Sequence, residues 1–282
     1  YSFPEEFFSI SPIIHEMRLF KDEDEISTMK KACSISAQAH IRAMKSVKPG
    51  MFEYELEAEY VHEFMKNGAR ECAYTPIVGS GNNSCILHYN QNDRQMEDGD
   101  LVLVDAGCEY QGYASDITRT FPVNGKFSPE QKLIYEIVLE AHNNCIEMLK
   151  PGVSWMQVHK KSIETITSGL IDIDLLKGSL EENIELEKYS KFYMHKVGHW
   201  LGLDVHDVGG YGSEGNWRLM EQGMVTTIEP GIYIKEGLED VPEKFHKIGI
   251  RIEDDVLIEN GGHQVLSSNV PTDIKSIEDL MS

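Results

Sequence analysis

Four carboxylates stand where strands should end or bend. Asp105 follows Leu101-Val102-Leu103-Val104, and Glu229 follows Val225-Thr226-Thr227-Ile228. Asp116 lies in a second apolar run at 113–121, and Glu253 in another at 250–258. Burying one unpaired carboxylate costs several kcal/mol or more. Four together repel one another and titrate toward neutrality unless cations are near. Arg119 is close in sequence to Asp116, and Arg251 to Glu253, but two arginines do not balance four carboxylates. Two divalent ions would. Oxygen ligands with one or two imidazoles suit Mn²⁺, Fe²⁺, Co²⁺ or Zn²⁺, and the lack of a cysteine ligand argues against a thiolate site. Carboxylates can bridge ions about 3.5–4 Å apart, which then activate a shared water and polarise a carbonyl.

Histidine supplies the second signal. Met194-His195-Lys196-Val197-Gly198-His199-Trp200-Leu201-Gly202-Leu203-Asp204-Val205-His206-Asp207 holds three imidazoles among glycines, a pattern expected of a cleft lining. His88, in Cys85-Ile86-Leu87-His88-Tyr89, occupies the corresponding region before the first carboxylate strand.

The elements that must position these groups are written twice. Over 25–47 the apolar residues Ile26, Met29, Cys33, Ala37, Met44 and Val47 fall close to one helical face. Lys48-Pro49-Gly50 follows, then a helical pattern through Leu56, Tyr60, Val61, Phe64 and Met65, closed by Gly68. The second half opens on Ser128-Pro129-Glu130-Gln131, with a Ser cap, Pro in the first turn and Gln completing a capping box. A stripe through Leu133, Ile134, Ile137, Val138 and Ala141 comes next, then Lys150-Pro151-Gly152, a helix start at Ser154 and a closing Gly169. The strand regions repeat too: Glu97-Asp98-Gly99 leads to Asp105, and Glu221-Gln222-Gly223 to Glu229, each six positions after its glycine. The duplication therefore pairs Asp105 with Glu229 and Asp116 with Glu253. Such carboxylates converge near a pseudo-twofold axis if the two sheets join.

Composition narrows the function class. A formal charge of −21 over 282 residues argues against nucleic acid, which needs a basic surface. No run approaches the roughly 20 apolar residues of a membrane span. The start, Tyr1-Ser2-Phe3-Pro4-Glu5-Glu6, has no signal-peptide pattern. Five scattered cysteines, Cys33, Cys72, Cys85, Cys108 and Cys145, suit reduced thiols in a cytoplasm.

Six segments together resemble the Xaa-Pro aminopeptidases (aminopeptidase P) of the pita-bread metallopeptidase family. They are Ile86-Leu87-His88-Tyr89, Val104-Asp105-Ala106-Gly107, Ser115-Asp116-Ile117-Thr118-Arg119-Thr120, the histidine run, Ile228-Glu229-Pro230-Gly231 and Gly249-Ile250-Arg251-Ile252-Glu253-Asp254. The resemblance implies a duplicated α/β fold, a curved antiparallel sheet with helices outside, and repeat halves at about 23–125 and 126–262. It implies two divalent ions, usually manganese. Asp116 and Glu253 would bridge them, Asp105 would chelate one, and His199 and Glu229 would bind the other. His88, His195 and His206 would hold substrate and stabilise the tetrahedral intermediate. Tyr74 matches a tyrosine near the metal, with packing as the alternative, and Arg251 matches an arginine behind the carboxylates. The implied reaction is hydrolysis before a proline in the second position, by a metal-bridging hydroxide, with Glu229 accepting the proton.

Two departures from the family pattern stand out. These enzymes carry a separate N-terminal domain that helps to build a homo-oligomer, so residues 1–22 read as its junction with a catalytic domain at 23–282. The segment Tyr211-Gly212-Ser213-Glu214-Gly215-Asn216-Trp217-Arg218 also differs, and Arg218 is the candidate for the arginine that reaches substrate there. The rivals are prolidase, which cuts only dipeptides, methionine aminopeptidase, whose histidine spacing differs, and a metal-free binding relative.

Overall fold

Hydrogen-bonded caps decide where the long helices begin. A computed structural model describes residues 8–282, so seven residues of the expected junction lie outside it. Helix α1 (Ser11–Leu19) leads into α2 (Glu23–Ser46), which opens on a capping box: Asp22 accepts from the Glu25 amide at 2.9 Å, and Glu25 from the Asp22 amide at 2.7 Å. Helix α3 (Glu53–Lys66) lies against α2 and buries Leu56, Tyr60 and Phe64, whereas Met65 of the expected stripe is exposed. In the second half α4 (Pro129–Met148) starts on the Ser128–Gln131 box and α5 (Trp155–Asp172) on the equivalent Ser154–Gln157 box. Leu133 faces out, at 41% exposure.

One expected helix end is corrected. Gly169 lies within α5, which runs on to Asp172 and closes through Asp174 at φ 65°. A Cβ on Gly169 would stand 2.6 Å from Cγ2 of Ile137, so this glycine lets α5 pack closely against α4. Gly68, with φ 92°, does follow a helix end, and so the two glycines are not equivalents.

The strands of the first half are β1 (Glu71–Cys72), β2 (Ile77–Ser80), β3 (Leu101–Asp105), β4 (Cys108–Tyr110), β5 (Tyr113–Ala114) and β6 (Thr118–Pro122). A short helix, α6 (Leu180–Glu185), precedes the second set: β7 (Gly212–Ser213), β8 (Asn216–Trp217), β9 (Val225–Ile228), β10 (Gly231–Ile234), β11 (Ile248–Arg251), β12 (Asp254–Glu259) and β13 (Gly262–Val265). Helix α7 (Ile274–Met281) ends the chain. Among the described residues all pairings are antiparallel, with strand orders β1-β4-β5, β2-β3-β6 and β13-β12-β9 for the three three-stranded sheets.

The runs at 113–121 and 250–258 are each two strands rather than one. Asp116 lies between β5 and β6, and Glu253 between β11 and β12. In each half a carboxylate ends a strand, a hairpin follows, and the second carboxylate comes at the hairpin's exit. The first hairpin turns on Gln111-Gly112, both with positive φ, while the second carries a long loop between Ile234 and Ile248. That loop accounts for the wider spacing of Glu229 and Glu253. The sheets join where these carboxylates sit: the Glu253 amide donates to the Thr118 carbonyl at 3.1 Å, and the Thr118 hydroxyl to the Glu253 carboxylate at 2.6 Å.

Candidate metal centre

The segment 197–201 runs antiparallel alongside β9, with a bridge between Trp200 and Thr226. The Thr227 amide donates to the His199 carbonyl at 2.9 Å and the Glu229 amide to the Val197 carbonyl at 2.7 Å. This lays His199 beside the end of β9, where Glu229 follows. Nδ1 of His199 donates to the Trp200 carbonyl at 3.0 Å. Nε2 is thereby left facing acid, 3.3 Å from Asp116 and 3.5 Å from Glu229.

Asp116, His199 and Glu253 each offer one ligand atom, and these atoms lie within 4.8 Å of one another. Asp105 is linked to them less directly. The Tyr74 hydroxyl contacts Asp105 at 2.5 Å and Asp116 at 2.6 Å, and Nη2 of Arg251 donates to Asp105 at 2.6 Å. Arg251 therefore pairs with Asp105 rather than with the nearer-numbered Glu253. Arg119 likewise avoids Asp116: it pairs with Asp254 at 2.7 Å and donates to the Thr118 and Glu253 carbonyls at 2.9 and 2.6 Å. Neither arginine satisfies the pairing its place in the sequence suggested.

The electrostatics show what the cluster lacks in counter-charge. Burial, reinforced by Asp116, raises Asp105 to about 6. Burial raises Glu229 to about 7, and burial with three neighbouring carboxylates holds Glu253 well above the ordinary range. Burial would depress His199, but Asp116 and Glu229 outweigh it and draw the imidazole up to about 9. The same contact holds Asp116 below the usual value against its own burial. Protein cations are too few, so the carboxylates attract protons. Divalent ions would replace those protons, and a donor set of carboxylate oxygens with one oriented imidazole nitrogen fits them.

A cleft of about 310 Å³ opens beside the cluster, lined by Tyr74, His88, Asp105, Asp116 and His206 among others. His206 stands edge-on to His199, with ring centroids 4.3 Å apart. His195 lies 3.8 Å from Glu229, and both its nitrogens are engaged at 2.8 Å, one with the Lys196 carbonyl and the other with the Tyr233 hydroxyl. Burial, helped by Arg251, lowers it to about 3 and keeps it neutral. Arg218 is not brought to this group: it is engaged by Glu16 at 2.6 Å and Glu221 at 3.1 Å. Tyr233 went unnoticed in the sequence, yet its hydroxyl also accepts from Arg251 at 3.0 Å and so joins Asp105 to His195 through two side chains. Its only signal was its place after Glu229-Pro230-Gly231. His40 was missed as well; buried under the Asp105-Ala106 turn, it bonds the Ala106 carbonyl at 3.1 Å and the Tyr60 hydroxyl at 2.9 Å.

Comparison with known proteins decides the family. The profile of metallopeptidase family M24 matches residues 27–260. The chain belongs to this family. It is 52% identical to the Xaa-Pro aminopeptidase of Haemophilus influenzae over 271 residues, covering 96% of this chain and 63% of that protein. Identity to the Escherichia coli Xaa-Pro aminopeptidase is also 52%, covering 96% of this chain and 61% of that one. The M24 chain thus spans about three fifths of these relatives' length. The Pseudomonas aeruginosa aminopeptidase PepP superposes with a TM-score of 0.97 at 51% identity, covering 99% of this chain and 63% of its own. Zinc-substituted Escherichia coli aminopeptidase P, in complex with product, gives 0.96 at 51% identity. The expected duplicated α/β pita-bread fold is the fold the M24 chain has.

Proposed function

We propose that the protein is a metalloaminopeptidase that removes an N-terminal residue followed by proline. The observation that carries this reading is the cluster of Asp105, Asp116, His199, Glu229 and Glu253 beside a cleft lined by His88 and His206. The similarity to Xaa-Pro aminopeptidases at 52% identity supports the proline preference, against 39% to a rat Xaa-Pro dipeptidase. Two divalent ions, manganese in preference to cobalt, zinc or iron, would be held by those five residues. When bound they would supply Lewis acidity and an activated water. Glu229, which lies 3.5 Å from His199 and 3.8 Å from His195, would accept the proton from the activated water. His88 and His206 would donate hydrogen bonds to the peptide from the cleft wall. His195 serves best as a neutral orienting group beside Glu229, and Tyr74 holds the two aspartates in register.

The substrates on this reading are peptides with proline in the second position, and the carrier is a homo-oligomer of a longer chain. Five free cysteines support a reducing, cytoplasmic setting. Among the described residues, no helix is long and apolar enough to cross a membrane. The test is hydrolysis by metal-loaded, full-length protein of an Xaa-Pro-Yaa tripeptide, its Xaa-Ala-Yaa analogue and the Xaa-Pro dipeptide. Tripeptide cleavage that needs proline and is abolished by a chelator is expected. Cleavage of the dipeptide alone would make the protein a prolidase, and failure on all three with no bound metal would make it a binding protein.

A further inference from the structure

His206 is held differently from the other two histidines of its run. His195 and His199 have ring nitrogens bonded at 2.8 and 3.0 Å. The His206 imidazole has no hydrogen-bond partner among the described residues, is exposed, and packs at a steep angle against the His199 ring. Its place in the cleft therefore depends on the backbone that carries it.

That backbone is gripped from outside the cleft by α1. Arg18 donates through Nη2 to Asp204 at 2.7 Å, and also to Asp207, so one guanidinium spans the residues on either side of His206. Asp207 is buried, with its carboxylate also 3.4 Å from Nζ of the equally buried Lys21 and its amide bonded to the Trp200 carbonyl at 2.9 Å. Asp204 is 63% exposed at its side chain and has Arg18 as its ion-pair partner. Helix α1 is itself fixed at this end: Leu19 is fully buried in the cluster that holds Trp200, and the Lys21 amide donates to the Gly223 carbonyl at 2.9 Å. Without Arg18, Asp207 keeps Lys21 as its counter-charge, so no buried carboxylate is orphaned. What disappears is the tie between Asp204 and Asp207 across His206.

We propose that Arg18 is a positioning residue for His206: by bridging Asp204 and Asp207 it fixes the imidazole at the cleft, at a distance from any substrate. This rests on the peptidase reading of the same site. A group displaced by about 1 Å can cost up to about 100-fold in rate, so partial loosening should lower kcat about 10-fold. KM should stay within about twofold, because a donor that acts chiefly on the developing oxyanion contributes little to ground-state binding.

The experiment is a double-mutant cycle in the metal-loaded, full-length protein. Arg18→Ala should lower kcat on an Xaa-Pro-Yaa peptide while metal content and melting temperature hold, and the loss should vanish in a His206→Ala background. Arg18→Lys, which reaches one aspartate but not both, should recover part of it. Asp204→Asn, at an exposed position, gives the same reading if Arg18→Ala fails to fold. Equal losses with and without His206 would overturn the proposal. A second readout does not depend on activity: in zinc-loaded protein, the His206 ring Cε1–H resonance, identified by its absence in His206→Ala, should shift or broaden in Arg18→Ala. An unchanged resonance overturns the proposal. Wild-type protein inert toward every Xaa-Pro peptide would remove the peptidase reading instead, leaving the resonance to decide the role of Arg18.

Discussion

Arg119 is where the fold and the candidate metal centre share a residue, and its removal should damage both. The side chain is fully buried and donates to the Asp254 carboxylate at 2.7 Å and to the carbonyls of Thr118, Glu253, Pro271 and Val270 at 2.9, 2.6, 3.1 and 3.3 Å. Burial would raise Asp254, but Arg119 and His142 together outweigh it and hold that carboxyl well below the usual range. Arg119→Met removes the charge and leaves Asp254 with only His142, at 3.1 Å, and the Ser267 hydroxyl, at 2.5 Å. Breaking a buried ion pair from one side costs about 3–5 kcal/mol, and each orphaned carbonyl adds about 1–3 kcal/mol unless water reaches it. A loss of about 5 kcal/mol or more is comparable to the whole stability of many domains. Arg119→Lys keeps a charge for Asp254 but cannot span five acceptors, so about 2–4 kcal/mol should be lost. Because Thr118 and Glu253 contact each other where the sheets join, Arg119→Lys should also weaken metal binding about 10–100-fold. Urea unfolding followed by circular dichroism gives the first quantity and metal titration the second. Arg119→Met within 1 kcal/mol of wild type, with metal affinity unchanged, would refute the reasoning.

Three further outcomes follow from the same structure. Glu253→Ala should lose bound metal and activity together, whereas His206→Ala should keep the metal and lower turnover; elemental analysis beside a tripeptide assay separates them, and unchanged turnover in His206→Ala would remove that histidine from the chemistry. Gly169→Ala should destabilise by about 1 kcal/mol, since overpacking at about 1–3 kcal/mol exceeds a helix-propensity gain of about 1 kcal/mol; in an Ile137→Ala background, where the clashing Cγ atoms are gone, the sign should reverse in urea melts. Burial lowers His40 to about 3, so the folded state holds it neutral while the unfolded chain binds a proton. Its contribution is full above pH 6.5 and falls with acid by about 1.4 kcal/mol per pH unit down to pH 3. His40→Gln should make stability measurably less acid-sensitive between pH 7 and 5, and an unchanged slope would contradict the neutral assignment.

Local signals made much of this molecule legible in advance, and long-range ones did not. Caps at Ser128 and Ser154 are written within four residues, and the β-branched runs before Asp105 and Glu229 are equally local. The strand breaks at Asp116 and Glu253 were hidden because the apolar pattern continues through them; the chain leaves one strand pairing and enters another there, which periodicity does not encode. Partner choice was hidden for a related reason. Neighbours in sequence suggested Arg119 for Asp116 and Arg251 for Glu253, but alternation along a strand puts Arg119 on the face opposite Thr118, toward Asp254 and the helices. Arg251 reaches Asp105, 146 positions away. Arg218 illustrates the same limit, since only the placement of α1 shows that Glu16 holds it.

The duplication also explains why His199 has no histidine counterpart in the first half. In the second half His199 lies beside Thr227, two residues before Glu229. In the first half the residue beside Leu103, two before Asp105, is Gly79. The repeat therefore offers a place for a second imidazole and fills it with hydrogen. A Cβ on Gly79 would stand 2.8 Å from the Asn83 carbonyl oxygen, in the short helical turn of residues 81–85 that follows β2. No side chain fits there without moving backbone. Segment 81–85 also carries Ser84, whose hydroxyl accepts from the Gly249 amide at 2.9 Å and so ties the first half to β11, two residues before Arg251. In the first half the place that His199 takes in the second is closed off by a turn that braces the strand leading to Glu253, and the asymmetry of the cluster, four carboxylates and one imidazole, follows from that packing.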